Sequence, residues 1–266
     1  MSTPHVALVT GAGGGIGSAI ALRLARGGTS LILAGRSQEK TSALAAAIRA
    51  EGGKAWFVYL DVSDAETFGE ALALVREHGP LDWLVNNAGI AISAPFLRHG
   101  RESGEDLYEK LLATNFHGAR RLIEALVPAM IERKQGRIVN VGSSAALAGY
   151  AYAAAYAASK HALLGYGRAV ALELARTGVT LNTICPHYVD SPMTDGTVKR
   201  IVEKTGKNEA ETRAFLAAQN PSGKLVTPDE VAELVYELCA GNRNGGVIEL
   251  CGGGQRREVE RGTPSQ

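Results

Sequence analysis

The chain has 266 residues, 45% hydrophobic and 21% charged, which is the balance of a folded globular protein with length enough for a large core. Lys plus Arg number 28 and Asp plus Glu 27, so the net charge of +1 offers no basic surface for nucleic acid or an anionic membrane. Three cysteines (Cys185, Cys239 and Cys251) lack metal-ligand spacing and are too few for a disulfide scaffold, so no metal is expected.

Short β-branched runs alternate with longer helical stretches. The first run, Val6-Ala7-Leu8-Val9, ends in Thr10-Gly11 and precedes a helical pattern over residues 16–26. Leu31-Ile32-Leu33 follows, then an Ala-rich helical segment at 42–50 and the run Trp56-Phe57-Val58-Tyr59-Leu60. Runs at 81–85, 137–141, 179–184 and 247–250 bring the total to seven. Strands separated by helices read as βαβ units, so a doubly wound parallel α/β sheet with helices on both faces is expected. The runs are apolar almost throughout, as burial on both faces demands.

One domain is predicted over residues 1–254, with insertions at about 90–106 and 186–223, the second carrying a helical stretch at 195–219. Both insertions follow strands and so should overhang the carboxyl edge of the sheet, where ligands of open α/β folds bind. Residues 255–266 are polar and read as a frayed tail. The start of the chain lacks the basic opening and apolar core of a secretory signal. The longest weakly polar stretch, 145–158, is too short to cross a bilayer. A cytoplasmic location without membrane contact is the expectation.

Between the first strand and first helix lies Thr10-Gly11-Ala12-Gly13-Gly14-Gly15-Ile16-Gly17. Glycines in such a turn let backbone N–H groups approach a pyrophosphate, and the helix N-terminus adds positive potential. Gly11, Gly13, Gly15, Ile16 and Gly17 are therefore candidate cofactor contacts. The G-x-x-x-G-x-G spacing, together with Asn86-Asn87-Ala88-Gly89 after the fourth strand and Tyr156 four residues before Lys160, resembles the one-domain branch of the short-chain dehydrogenase/reductase family. The resemblance covers about residues 5–254. It implies a Rossmann-type seven-stranded sheet, a nicotinamide cofactor held in part by Asn87, Ala88 and Gly89, and adenine contacts from Asp61 and Val62.

An acid at the end of the second strand would bind the ribose hydroxyls of NAD and repel the 2′-phosphate of NADP. Here Gly35 stands in that place, followed by Arg36 and Ser37. A guanidinium suits a phosphate, so NADP(H) is the expected cofactor, with NAD(H) possible.

Tyr156 and Lys160 are an i, i+4 pair on a predicted helix over about 152–176, and four residues rise about 6 Å onto the same face. An unperturbed phenol titrates near ~10, and a lysine charge about 5 Å away would lower it by roughly two units. Tyr150, Tyr152 and Tyr166 have no lysine four residues on. A hydroxyl after the fifth strand could stabilise a developing alkoxide; the family pattern aligns with Ser143, with Ser144 the alternative. Asn115, in Asn115-Phe116-His117-Gly118, resembles the family asparagine that holds a proton-relay water; the alternative is a structural, helix-kinking residue.

After the sixth strand, Pro186, Val189 and Ser191 match the family's nicotinamide-side loop, but His187 replaces its glycine. His187 is either a loop variant or a substrate contact. The pocket should be lined by Ser143, Ser93, Phe96, Leu97, Tyr150, His187, Tyr188, Met193 and residues of the 195–219 stretch, suiting an apolar or acyl-type ketone. The expected activity is interconversion of a small-molecule ketone and a secondary alcohol, as in 3-oxoacyl-thioester and polyketide or aryl ketoreductases. The alternatives are an NAD(H)-dependent alcohol or hydroxyacyl dehydrogenase, and a nucleotide-sensing protein that has lost catalysis. The resemblance and the Ala-rich face at 153–171 imply a homotetramer.

Overall fold

Leu8, Ile32, Leu84 and Ile138 point to one side of a sheet, and Val9, Leu33, Val85 and Val139, one residue later on each strand, point to the other. That alternation explains why the strands read as unbroken apolar runs. The computed structural model describes residues 5–98 and 106–260. Its elements are β1 (Val6–Thr10), α1 (Gly15–Arg26), β2 (Ser30–Gly35), α2 (Gln38–Ala50), β3 (Ala55–Tyr59), α3 (Phe68–Glu77), β4 (Trp83–Asn86), α4 (Leu107–Leu112), α5 (Gly118–Glu132), β5 (Gly136–Val141), α6 (Ala154–Glu173), β6 (Val179–Pro186), α7 (Pro192–Thr205), α8 (Glu209–Ala218), α9 (Pro228–Ala240), β7 (Val247–Gly252) and β8 (Gln255–Glu258).

The sheet order is β3-β2-β1-β4-β5-β6-β7-β8, parallel through β7. The chain reverses its direction of winding between β1 and β4, so the loops that leave these two strands part and open a crevice at the carboxyl edge. Ile20, Leu24, Ile48, Val231, Val235 and Leu238 from α1, α2 and α9 fill one face. Phe68, Val75, Leu122, Leu126 and Ala171 from α3, α5 and α6 fill the other.

Three boundaries differ from the sequence expectation. The tail expected to fray starts as an eighth strand: β8 pairs antiparallel with β7, Leu250 opposite Arg256 and Glu249 opposite Arg257. Its four residues are all exposed and polar, so they carry no hydrophobic period, and the hairpin rests on three glycines (252, 253 and 254) with positive φ. Residues 261–266 lie outside the described residues. The single predicted helical stretch at 195–219 is two helices, α7 ending at Gly206 and α8 beginning from Asn208, whose side chain accepts the Glu211 N–H. The helix of Tyr156 runs Ala154–Glu173, shorter at both ends than predicted. Of the predicted insertion at 90–106, residues 99–105 lie outside the described residues. Among the described residues, no helix is long and apolar enough to cross a membrane.

Candidate active site

The turn after β1 is clamped to the turn after β4. Thr10 Oγ1 donates to the Val85 carbonyl (3.3 Å) and accepts the N–H groups of Asn87 and Ala88, both at 3.0 Å. Asn87 Nδ2 donates to the carbonyls of Thr10 (2.9 Å) and Gly11 (3.2 Å). A Cβ on Gly17 would lie 2.2 Å from the Gly11 carbonyl oxygen, so no other residue fits there. The glycines therefore serve packing as well as approach: they let two strand ends and a helix start meet within backbone contact. Gly11, Gly15, Ile16, Gly17, Asn87, Ala88 and Gly89 all line one cleft.

Other predicted cofactor contacts stand back from that wall. Gly13 faces Thr41, and the Ser37 hydroxyl accepts the Lys40 N–H as the N-cap of α2. Val62 packs on Gly118. Arg36 is largely exposed, on an adjoining open depression, with Nη1 3.7 Å from Asp61 Oδ2. Partial burial pushes the Asp61 carboxyl up, but hydrogen bonds from the Ser63 hydroxyl and N–H, with Arg36 nearby, hold it below the usual carboxylate range. At Gly35 a Cβ would stand 3.0 Å from Thr41 Oγ1, so a longer side chain is disfavoured where an acid would otherwise sit.

Across the cleft, β5, α4 and α6 bring together residues far apart in sequence. The Ser143 hydroxyl is in hydrogen-bond contact with the Tyr156 phenol and accepts the Ala145 N–H at 3.1 Å. Ser144 turns away and accepts from the Tyr150 hydroxyl at 2.9 Å. Lys160, 4% exposed, donates to the Val141 carbonyl at 3.0 Å, and its ammonium lies 6.0 Å from the Tyr156 ring centre. Burial lowers Lys160 to about 8.

The acidification expected of the phenol is not what the geometry gives. Burial pushes Tyr156 up from its ordinary value, the Ser143 hydroxyl pulls it down, and the lysine is spent on the sheet edge. Spacing put the two side chains on one face but did not fix where the long lysine chain would end.

Asn115 sits in a π turn (Ala113–His117) joining α4 to α5. Its Oδ1 accepts the Ile90 N–H at 2.8 Å, and its Nδ2 donates to the Ile90 carbonyl (3.0 Å) and to Ser159 Oγ (2.9 Å). Its amide thus braces the loop after β4 against α6. Gly89 is packed between: a Cβ there would be 3.1 Å from Asn115 Oδ1 and 3.5 Å from Lys160 Nζ.

The loop after β6 closes the far side of the cleft. Pro186, His187, Tyr188, Val189 and Ser191 line it, as do Ser93, Tyr150 and Met193. Phe96 and Leu97 do not; they are 68% and 66% exposed in a short 3-10 turn whose apolar side chains face solvent. His187 has its Nε2 bonded to Glu249 Oε1 at 2.6 Å. The whole cleft encloses about 380 Å³, within the range of small-molecule sites.

Residues 5–201 match the short chain dehydrogenase family model. The short-chain reductase protein NovJ of Streptomyces niveus is 36% identical over 95% of both chains. The 3-oxoacyl-acyl-carrier-protein reductase FabG of Vibrio cholerae is 36% identical over 88% of this chain and 89% of its own length. Among solved structures, a variant of actinorhodin polyketide ketoreductase with NADPH superposes with a TM-score of 0.87 at 35% identity, covering 96% of this chain and 99% of that one.

The chain belongs to the short-chain dehydrogenase family. It is an NAD(P)-dependent oxidoreductase of the single-domain Rossmann-like form.

The sequence motifs of this short-chain dehydrogenase left out several residues that shape the site. Asn220, 3% exposed, accepts the Tyr188 N–H (3.0 Å) and donates to the carbonyls of Tyr188 (2.9 Å) and Lys224 (2.8 Å). In the sequence it reads as an ordinary turn residue before Pro221. Ser159 links Asn115 to the Tyr156 carbonyl, to which it donates at 2.7 Å. Glu249, a lone acid in the apolar run 247–250, was the one visible signal: a buried charge on an interior strand calls for a partner.

His187, Glu249 and Cys251 place ligand-type atoms within 4.8 Å of one another, but the histidine Nε2 and both Glu249 oxygens are bonded to each other and to Arg257. That neighbouring guanidinium is a poor companion for a cation.

Proposed function

We propose that this protein reduces an apolar or acyl-type ketone to a secondary alcohol with NADPH. One observation carries the reading. The Ser143 and Tyr156 hydroxyls meet in the same cleft whose opposite wall is the glycine turn, and Lys160 lies beneath them.

The residues fit a dinucleotide. The cleft is continuous from Gly11 to Tyr156, its turn lacks side chains, and α1 begins at its floor. Gly11, Gly15 and Gly17 would hold the pyrophosphate, Asp61 and Val62 the adenine side, and Asn87 to Gly89 with Lys160 the ribose. Pro186, Val189 and Ser191 would hold the amide end. When bound, the reduced nicotinamide supplies the hydride. The absence of an acid at Gly35 and the largely exposed guanidinium of Arg36, between β2 and α2, support the phosphorylated cofactor, as does the NADPH found in the actinorhodin enzyme.

Ser143 donates a hydrogen bond to the ketone oxygen and stabilises charge developing there. Tyr156 is protonated at neutral pH, because burial raises it, and so is poised to give its proton to that oxygen. Lys160 supplies a positive field and, with a value of about 8, can return a proton to the phenol. Tyr150 and Tyr188, edge to face with centroids 6.5 Å apart, form an aromatic wall suited to a flat or apolar substrate. The apolar residues Ile131 on α5 and Leu172 on α6 are exposed, which supports helix-to-helix assembly into the expected tetramer.

The deciding assay follows NADPH absorbance with a panel of aryl, cyclic and 3-oxoacyl-thioester ketones. Turnover of one class, lost in Tyr156→Phe, is expected. NADPH binding without turnover of any ketone would point to a nucleotide sensor instead.

A further inference from the structure

Glu249 is 5% exposed on β7, and both of its carboxylate oxygens are used. Oε1 bonds His187 Nε2 at 2.6 Å; Oε2 accepts from Arg257 Nε at 2.8 Å and again from Nη2. Burial pushes the carboxyl up, but the bonds from His187 and Arg257 outweigh it and keep it below its ordinary value, so it is an anion. An anionic acceptor requires a proton on His187 Nε2, and Nδ1 has no hydrogen-bond partner.

The three residues come from three places: the substrate-side loop, the interior of β7, and the exposed final strand β8. The latter two pair directly, Glu249 opposite Arg257. His187 does not have positive φ, so its backbone makes no demand for glycine. Its neighbour Tyr188 is held from the opposite side by Asn220, and Asp190 donates to the Val226 carbonyl at 2.8 Å. The loop is thus strung between two supports: the Asn220 side chain on one hand, and on the other β7, to which His187 is tied by its main-chain N–H, donating to the Leu250 carbonyl at 3.1 Å, and again by its ring through Glu249.

We infer that His187, Glu249 and Arg257 form a latch that positions the Tyr188 wall for the ketone, making His187 and Arg257 specificity-determining positioning residues outside the catalytic set. The latch bears on Tyr188 and lies away from the glycine turn, so it should act on ketone binding more than on cofactor binding, although Pro186, Val189 and Ser191 of the same loop face the amide end. This rests on the ketoreductase reading for its kinetic arm only.

The test uses the full-length enzyme with NADPH and its best ketone. His187→Ala should raise KM for the ketone at least fivefold, with NADPH Kd changed by less than twofold. His187→Gln, whose amide can place a donor near the lost Nε2, should restore KM to within twofold. Arg257→Ala, at an exposed side chain and with its folding checked by thermal melt, should raise KM about threefold, and Arg257→Lys should not.

Unchanged ketone KM in both alanine variants, or an equal loss of NADPH affinity, would overturn the latch. A second readout needs no activity: histidine 15N NMR should show His187 as the Nε2–H tautomer, with its signal moved in Arg257→Ala. An Nδ1–H tautomer, or a signal indifferent to Arg257, would reject the latch even if no ketone is turned over. Absent turnover with the expected NMR signature would reject the ketoreductase reading alone.

Discussion

The two sides of the cleft are built by opposite means. On the β1–β4 side the working surface is backbone: glycines, an asparagine clamp and a helix start, with almost no side chain in the wall. On the β5–β8 side the surface is side chain: Ser143, Tyr156, Lys160, Tyr188 and His187, each fixed by a partner distant in sequence. A backbone surface is specified by the local rule that nothing larger than glycine fits. A side-chain surface depends on where long chains end, which local spacing does not determine.

Substitutions on each side should separate these modes of construction. The largest effect belongs to the side-chain wall: Tyr156→Phe removes the proton donor and should lower kcat by about 10²–10⁴-fold with little change in NADPH affinity, measured by steady-state kinetics and fluorescence titration. Gly17→Ala attacks the backbone wall. Its Cβ would stand 2.2 Å from the Gly11 oxygen, so thermal stability and NADPH binding should fall together, by about 1–3 kcal/mol of unfolding free energy. A Gly17→Ala protein with normal stability would show that the two turns need not touch.

Lys160 gives a pH signature. Burial lowers it from 10.5 to about 8, so between those values the unfolded chain binds the proton that the folded chain has released. The penalty, ~3 kcal/mol, applies in full below pH ~8 and is relieved as pH rises toward the unfolded value. Lys160→Met should therefore be more stable than the parent at pH 7 and lose that alkaline gain, by urea melts at pH 7 and 10, while being inactive. The smallest effect is at the rim. Arg36→Ala should raise KM for NADPH about tenfold and leave KM for NADH unchanged, the worth of one charge-assisted contact. Equal changes for both cofactors would remove Arg36 from phosphate recognition.

Much of the site was legible in the sequence, though unevenly. The glycine turn, Asn87 and the Tyr156–Lys160 pair could be placed because each lies at a strand end or on one helix face. The family pattern already pointed to Ser143 with Ser144 as the alternative; the physical reason is tertiary, the turn after β5 aiming Ser143 at Tyr156 and Ser144 at Tyr150. Phe96 and Leu97 misled because apolar character says nothing about which way a loop faces. β8 was invisible because an exposed polar edge strand has no apolar period to read.

The sequence by itself determined the alternation of strand and helix, the sheet that follows from it, and the turn at its carboxyl edge. These depend on periodicity and on glycine, which act within a few residues. Tertiary structure alone decided that Lys160 would spend its ammonium on Val141, that Asn220 would clamp Tyr188, and that a buried glutamate would join His187 to the last strand. Each of these is a buried polar group that must find a partner once water is excluded, and which partner is within reach depends on how distant segments pack.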